Sequence, residues 1–356
     1  MPNHSHLTEF AGLPVVEFPA LDTVDHEYQR MVHRGEPVPD PYPPHAALAA
    51  GSAAPGSVAW RLRTEEPVRY SRPGWSSRLE DTAAYVTRFA EEVDLSAVTA
   101  LIVGNMAGDV EAVPSDEVRD RLLGIAPRLT GLRSLFFAEV VQEENEISWI
   151  EHGDLAPLLA AFPDLVGFTV RGGSAGPGLR IAEHRALRSL TVQSGALRPE
   201  VVRDVGASSL PNLERLELWL GAKEYGGEST PEDLAPVLSG TAFPGLRHLG
   251  LRNTEDLDGW VPALAGAPLV AALDTLDLSL GTLTDEGARV LLDAPVFRGL
   301  GRLDLHHHYL SEEMAERVRA EFTASGVEVD VSAPQEAEVD EYDGETHVHR
   351  YTAVSE

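Results

Sequence analysis

Cysteine is absent from the 356 residues. Disulfides, thiolate zinc sites, iron–sulfur clusters and cysteine nucleophiles are thereby excluded. Lysine is almost absent too: Lys223 is the one lysine, and every other basic side chain is arginine. Basic residues as a whole are scarce, 28 against 57 acids, for a net charge of −29. A surface of that sign repels phosphate backbones, so no nucleic acid is expected. It favours a basic partner by electrostatic steering, or it serves solubility alone. No apolar run has the length needed to cross a bilayer, so no membrane partner is expected. The first residues, Met1 to Glu9, lack the basic-then-apolar order of a secretion signal. These absences point to a cytoplasmic protein and leave its oligomeric state open.

The informative stretch is Leu273-Asp-Thr-Leu276-Asp-Leu278-Ser-Leu-Gly281-Thr-Leu283-Thr-Asp-Glu-Gly287-Ala-Arg-Val-Leu291. Leu276 and Leu278 are two apart, so on a strand both point to one side. Gly281 falls where the chain leaves the strand. Thr284-Asp285-Glu286 has the cap and early acids of a helix start, and Ala288, Leu291 and Leu292 give that helix an apolar face. The pattern resumes at Leu300, Leu303 and Leu305. First positions fall at Val98, Leu132, Leu165, Leu187, Leu213, Leu246, Leu273 and Leu300, and Val327 to Val331 supplies a closing strand.

This stretch resembles the ribonuclease-inhibitor-like class of leucine-rich repeats. Trp149-Ile, Leu218-Trp-Leu-Gly221, Tyr225-Gly-Gly227, Leu249-Gly-Leu-Arg-Asn253 and His347 to Glu356 resemble an uncharacterised bacterial cytoplasmic leucine-rich-repeat family. The resemblance implies an α/β solenoid, a horseshoe with a parallel sheet on its concave face and helices on its convex face. It implies no activity. Residues 1–95 are expected to form an N-terminal segment and cap, with 36–56 a flexible linker. Residues 96–331 hold about eight repeats and the closing strand. Residues 332–356 form an acidic tail, in which Thr346 to Val354 alternates like an edge strand. Helices are expected over Asp116–Leu129, Ile150–Phe162, Pro231–Leu238, Asp285–Val296 and Ser311–Ser325. Arg171 to Gly178 reads as a Gly-rich turn, since it lacks the Lys-Ser/Thr of a phosphate cradle.

Strand alternation puts Arg215, Glu217, Trp219, His248, Arg252, Thr275, Asp277, Ser279, Arg302, Asp304 and His306 on the concave face. The first two repeats carry Ala100, Ile102, Gly104, Ser134, Phe136 and Ala138 there. A tryptophan beside arginine and acids has the composition of a binding hot spot, unless Trp219 packs under a loop. Insertions at Ala107–Pro114, Val141–Ser148 and Ala222–Ser229, the last with Tyr225, form an acidic rim on one side. The expectation is a non-catalytic scaffold for a protein or peptide, with no cofactor. The alternative is an enzyme or accessory subunit with a small polar or metal site near Asp277, Asp304 and His306. His306-His307-His308 is a poor ligand set, because His308 falls at a buried turn position and His307 faces away from His306. Walker, dinucleotide and His-Glu-x-x-His motifs are all absent.

Overall fold

The computed structural model describes residues 4–20, 31–40, 42–64, 80–106, 115–174, 178–342 and 345–354. Two compact units divide it, and each is α/β with a mostly parallel sheet. One comprises Ser5–Val140 and Pro157–Leu165, the other Met1–His4, Val141–Ala156 and Val166–Glu356.

The first unit begins with a hairpin, β1 (Glu9–Phe10) against β2 (Leu13–Phe18). Ala11 and Gly12 join them, both at positive φ. Then come α1 (Pro43–Ala53), β3 (Ala59–Thr64), α2 (Thr82–Glu92), β4 (Ala100–Met106), α3 (Ser115–Ile125) and β5 (Ser134–Glu139). Strands β2, β3, β4 and β5 run parallel, with Val16, Trp60, Leu101 and Leu135 aligned across them. The supposed linker over 36–56 therefore contains a helix. Pro43 and Pro44 pre-set its first turn, where no N–H is needed, and the alanine run sustains it. An Ala-rich helix has almost no amphipathic signature, which is why the pattern alone misses it. Asp81 caps α2 by accepting from Ala84 N–H at 2.7 Å. That helix contributes Tyr85 and Phe89 to an aromatic core with Phe18 and Trp60.

In the second unit the order is β6 (Glu151–His152), α4 (Ala156–Ala161, mostly belonging to the first unit), β7 (Gly167–Arg171), β8 (Gly173–Ser174) and β9 (Ser189–Gln193). Next come α5 (Pro199–Gly206), β10 (Arg215–Gly221), α6 (Ala235–Leu238), β11 (His248–Thr254), α7 (Leu257–Ala265) and β12 (Thr275–Asp277). Last are α8 (Asp285–Asp293), β13 (Arg302–Asp304), α9 (Glu312–Ala324), β14 (Glu328–Asp330), β15 (Glu338–Tyr342) and β16 (Glu345–His349). Strands β7, β9, β10, β11, β12, β13 and β14 pair in parallel in that order. Phe168, Leu190, Leu216, Leu249, Leu276, Leu303 and Val329 align across them. Leu276, Leu278, Leu303 and Leu305 are buried. Two-residue spacing in seven successive strands thus yields apolar ladders, each buried leucine contributing roughly 1.5–3 kcal/mol.

The repetition extends past the strands. Asn253, Leu280, His307 and Ala333, one per repeat, all adopt positive φ. Their amides continue the ladder: Asn253 N–H donates to Ser279, Leu280 to His306 and His307 to Ser332. Helix starts are linked as well. The Asp258 carboxylate accepts from Thr284 N–H at 2.9 Å and Gly287 N–H at 3.1 Å, and the Asp285 carboxylate accepts from Ser311 N–H at 2.8 Å. A Cβ on Gly287 would lie 2.4 Å from Asp258 Oδ1, so glycine is what lets that carboxylate approach. The starts of α8 and α9 are therefore capped partly by the repeat before each.

Thr346 to Val354 does not become an edge strand of the main sheet. Its first part pairs antiparallel with β15 in a separate two-stranded sheet, and its last residues cross to the end of β11. Helix α5 is a further addition to the sequence reading, as is α7, which contains Pro262.

Candidate functional site

The register of β10 to β14 assembles the polar side of the sheet. Arg215, His248, Thr275, Arg302 and Glu328 align in one row, and Glu217, Gly250, Asp277, Asp304 and Asp330 in the next. Gly250 leaves the gap that Glu217 needs, since a Cβ there would lie 2.9 Å from Glu217 Cγ.

Glu217 is buried at the centre of a cluster. It accepts hydrogen bonds from Arg215 and from His248 Nε2, the latter at 3.1 Å, and pairs with Arg252 at 3.6 Å. Arg215 in turn donates to His248 Nδ1. Burial pushes the Glu217 carboxyl up, but the His248 hydrogen bond and the Arg215 and Arg252 charges outweigh it and hold the group at about 2. Arg252 also reaches Asp277 at 3.2 Å, donates to Ser279 Oγ and stacks 5.4 Å from the Trp219 ring centroid.

A second cluster lies on β13, three strands from Glu217. Arg302 pairs with Asp304 at 3.1 Å and with Glu328, and His306 Nδ1 donates to Asp304 at 2.7 Å. Burial again raises the Asp304 carboxyl, while hydrogen bonds from His306 and Arg302 bring it down to about 2. His306 moves the opposite way, above its ordinary range, chiefly through its hydrogen bond to Asp304. A folded pKa that is raised means stability present at low pH and lost as pH rises through it. Asp304→Asn is therefore expected to bring the His306 midpoint down toward the ordinary 6.5 in a proton NMR titration. An unchanged midpoint would mean that Asp304 does not hold the proton there.

The aspartates also have local work. Asp277 accepts from Ser279 N–H, Asp304 from His306 N–H and Asp330 from Ser332 N–H, each two residues on. Strand-end geometry thus accounts for acids at these three positions. By distance, Glu217, His248 and Asp277, or Asp304, His306 and Asp330, could hold a metal. Arg252 and Arg302 already bring a positive charge against these carboxylates, as a metal would. His308 is fully buried; its Nδ1 accepts from Leu310 N–H and its Nε2 donates to the Val331 carbonyl. Burial lowers its pKa. It is a turn-filling residue, as its position in the repeat implies.

Trp219 differs from the hot-spot expectation. It is 1% exposed and packs with Ile147, Leu280 and Val354. The cover comes from the C-terminal segment and the 141–150 loop. Tyr225 sits half-buried on the 222–229 loop, outside both clusters. The Ala107–Pro114 insertion, with Asp109 and Glu111 of the expected acidic rim, lies outside the described residues. In the first unit the corresponding face is also covered: Phe136 packs against Phe10, with ring centroids 6.1 Å apart. Glu139, 1% exposed, binds Arg61, His6 and the Leu7 N–H. Trp149 is an exposed aromatic, at 68%, on the loop with Glu143, Glu144 and Glu146. Its place beside acids in an insertion was the signal available in the sequence.

The expectation of no Gly-x-Ser-x-Gly sequence is incorrect: Gly172-Gly-Ser174-Ala-Gly176 spells that nucleophile-elbow motif. That motif works at a strand-to-helix turn. Here Gly173–Ser174 is a strand paired with β6, and among the described residues no helix follows before β9.

Similarity to known proteins agrees with a fold-level relationship. No protein-family model matches the chain, and no curated protein does. A crystal structure of a protein from Bacteroides fragilis matches at 31% identity and a TM-score of 0.65, over 71% of this chain and 70% of that one. The chain belongs to the same family as that Bacteroides fragilis protein. No helix among the described residues is long and apolar enough to cross a membrane.

Proposed function

We propose that the second unit is a leucine-rich-repeat solenoid of the ribonuclease-inhibitor-like class and that the chain is a non-catalytic scaffold for a basic protein or peptide. The observation that carries this reading is the row Arg215, Glu217, His248, Arg252, Asp277, Arg302, Asp304 and His306. These side chains are held on consecutive strands by one another, so a partner meets a surface that is already ordered and little entropy is lost on binding. Arg215 presents an exposed polar edge, and His248, Arg252, Arg302 and His306 are partly accessible. Ile147, beside Trp219, anchors the loop that carries exposed Trp149 and the three glutamates. An exposed tryptophan amid acids supplies apolar area and steering together.

The test is capture of a partner from a bacterial lysate, followed by binding kinetics with the purified partner. Trp149→Ala should weaken binding by about 2 kcal/mol. Charge reversal at Glu143, Glu144 and Glu146 should slow association, with the difference fading as salt rises. Wild-type binding by both variants, with loss on reversing Arg289 or Arg317 on the helices, would overturn the proposal.

A further inference from the structure

The C-terminal segment is held at the end of β11 in an unusual way. Asn253 is fully buried at positive φ, and its side chain pairs with both backbone polar groups of one residue: Oδ1 accepts from Val354 N–H at 2.9 Å, and Nδ2 donates to the Val354 carbonyl. The Ala353 N–H donates to the Leu280 carbonyl at 2.9 Å. The Val354 side chain enters the apolar seat of Ile147, Trp219 and Leu280, with Ala353 against it. The bonds that Ala353 and Val354 make to Leu280 and Asn253 therefore come from their backbone, and their two side chains in the seat are small. This is how proteins read an extended peptide: main-chain hydrogen bonds hold it and a pocket selects one residue.

A second observation sets the resident segment apart from an ideal ligand. The indole Nε1 of Trp219 is buried and meets no acceptor among the described residues. A buried donor left unpaired costs free energy, and an incoming segment with an acceptor near its apolar residue would recover it.

The geometry points to a peptide-binding site at Asn253, Leu280 and Trp219. It takes an extended segment of a partner, a small residue followed by a β-branched apolar one, and the chain's own Ala353-Val354 occupies it as a displaceable stand-in. Tethering places the stand-in at an effective concentration on the order of millimolar, so it competes with an outside segment although its contacts are few. The inference deepens the scaffold reading and rests on it only for the source of the segment. Binding at the seat is measured with a peptide alone, so its failure and the failure of capture on the polar row are read separately.

The probe is a fluorescein-labelled peptide, His-Arg-Tyr-Thr-Ala-Val with an amidated end, followed by anisotropy. The full-length Val354→Asp chain, whose aspartate is excluded from the apolar seat, is expected to bind it at least tenfold more tightly than wild type. Adding Asn253→Asp, which tolerates positive φ but cannot donate to the peptide carbonyl, should remove that gain. In wild type, saturating peptide should speed hydrogen exchange at the Ala353 and Val354 amides, a readout that needs no variant to fold. Equal affinity for wild type and a folded Val354→Asp chain overturns the proposal, as does exchange that the peptide leaves unchanged. A wild-type dimer whose tails exchange between copies would also overturn it, since the occupant would then be a second copy.

Discussion

Replacing Glu217 with alanine is expected to lower the unfolding free energy by about 3 kcal/mol, the lower part of the range for breaking a buried ion pair. Two lines lead to that figure. Glu217 is the one carboxylate that Arg215, His248 and Arg252 share, and its side chain is 6% exposed. Without it, Arg252 keeps Asp277, whereas Arg215 is left with His248 Nδ1 alone and the His248 Nε2–H loses its acceptor. Independently, a carboxyl brought from 4.5 to about 2 by folding corresponds to about 3 kcal/mol of linkage. The sign follows: a depressed folded pKa contributes stability above the unfolded value and loses it as pH falls toward the folded one. Between pH 4.5 and 2 the wild type should therefore lose stability faster than Glu217→Ala, and the two denaturation midpoints should converge. Parallel curves across that window would show that the cluster does not hold Glu217 ionised.

The same residues mark the limit of what the sequence discloses. Alternation along β10 to β13 is enough to place Glu217, Asp277 and Asp304 on the face opposite the leucines, because a period of two leaves no other choice once the leucines are buried. It does not disclose which charges meet, since that depends on the register between strands about a repeat apart. It is also silent on what lies over a face. Trp219 looks exposed from its strand and is buried by Val354, whose partner Asn253 is 101 residues away in the chain. Helices were legible where they had caps and a stripe, as at Thr284 and Ser311. They were hidden where Pro262 interrupts α7 or where α1 is mostly small residues.

Leu278→Ala is expected to cost about 2–5 kcal/mol, the range for truncating a buried leucine. Leu278 is 1% exposed. Its N–H donates to the Asp304 carbonyl at 2.8 Å, so its backbone is fixed by the next repeat and cannot drop into the space left by the missing methyls. Leu276, two positions earlier, aligns with Leu249 and Leu303, and the same register carries Leu278 between Leu251 and Leu305. The cavity therefore opens between adjacent repeats. Parallel repeats gain much of their stability from contacts with their neighbours, so the loss should spread first to β11 and β13 and fade with distance along the strand order. Arg289→Ala, at a side chain 60% exposed on α8, is the control and should change stability by less than about 0.5 kcal/mol. Amide hydrogen exchange reads the distribution directly: Leu278→Ala should quicken exchange across β11 to β14 while β3 and β4 keep their wild-type protection. Equal acceleration in β3 and β4 would mean that the chain unfolds as one cooperative block and that the nearest-neighbour description of its stability is wrong.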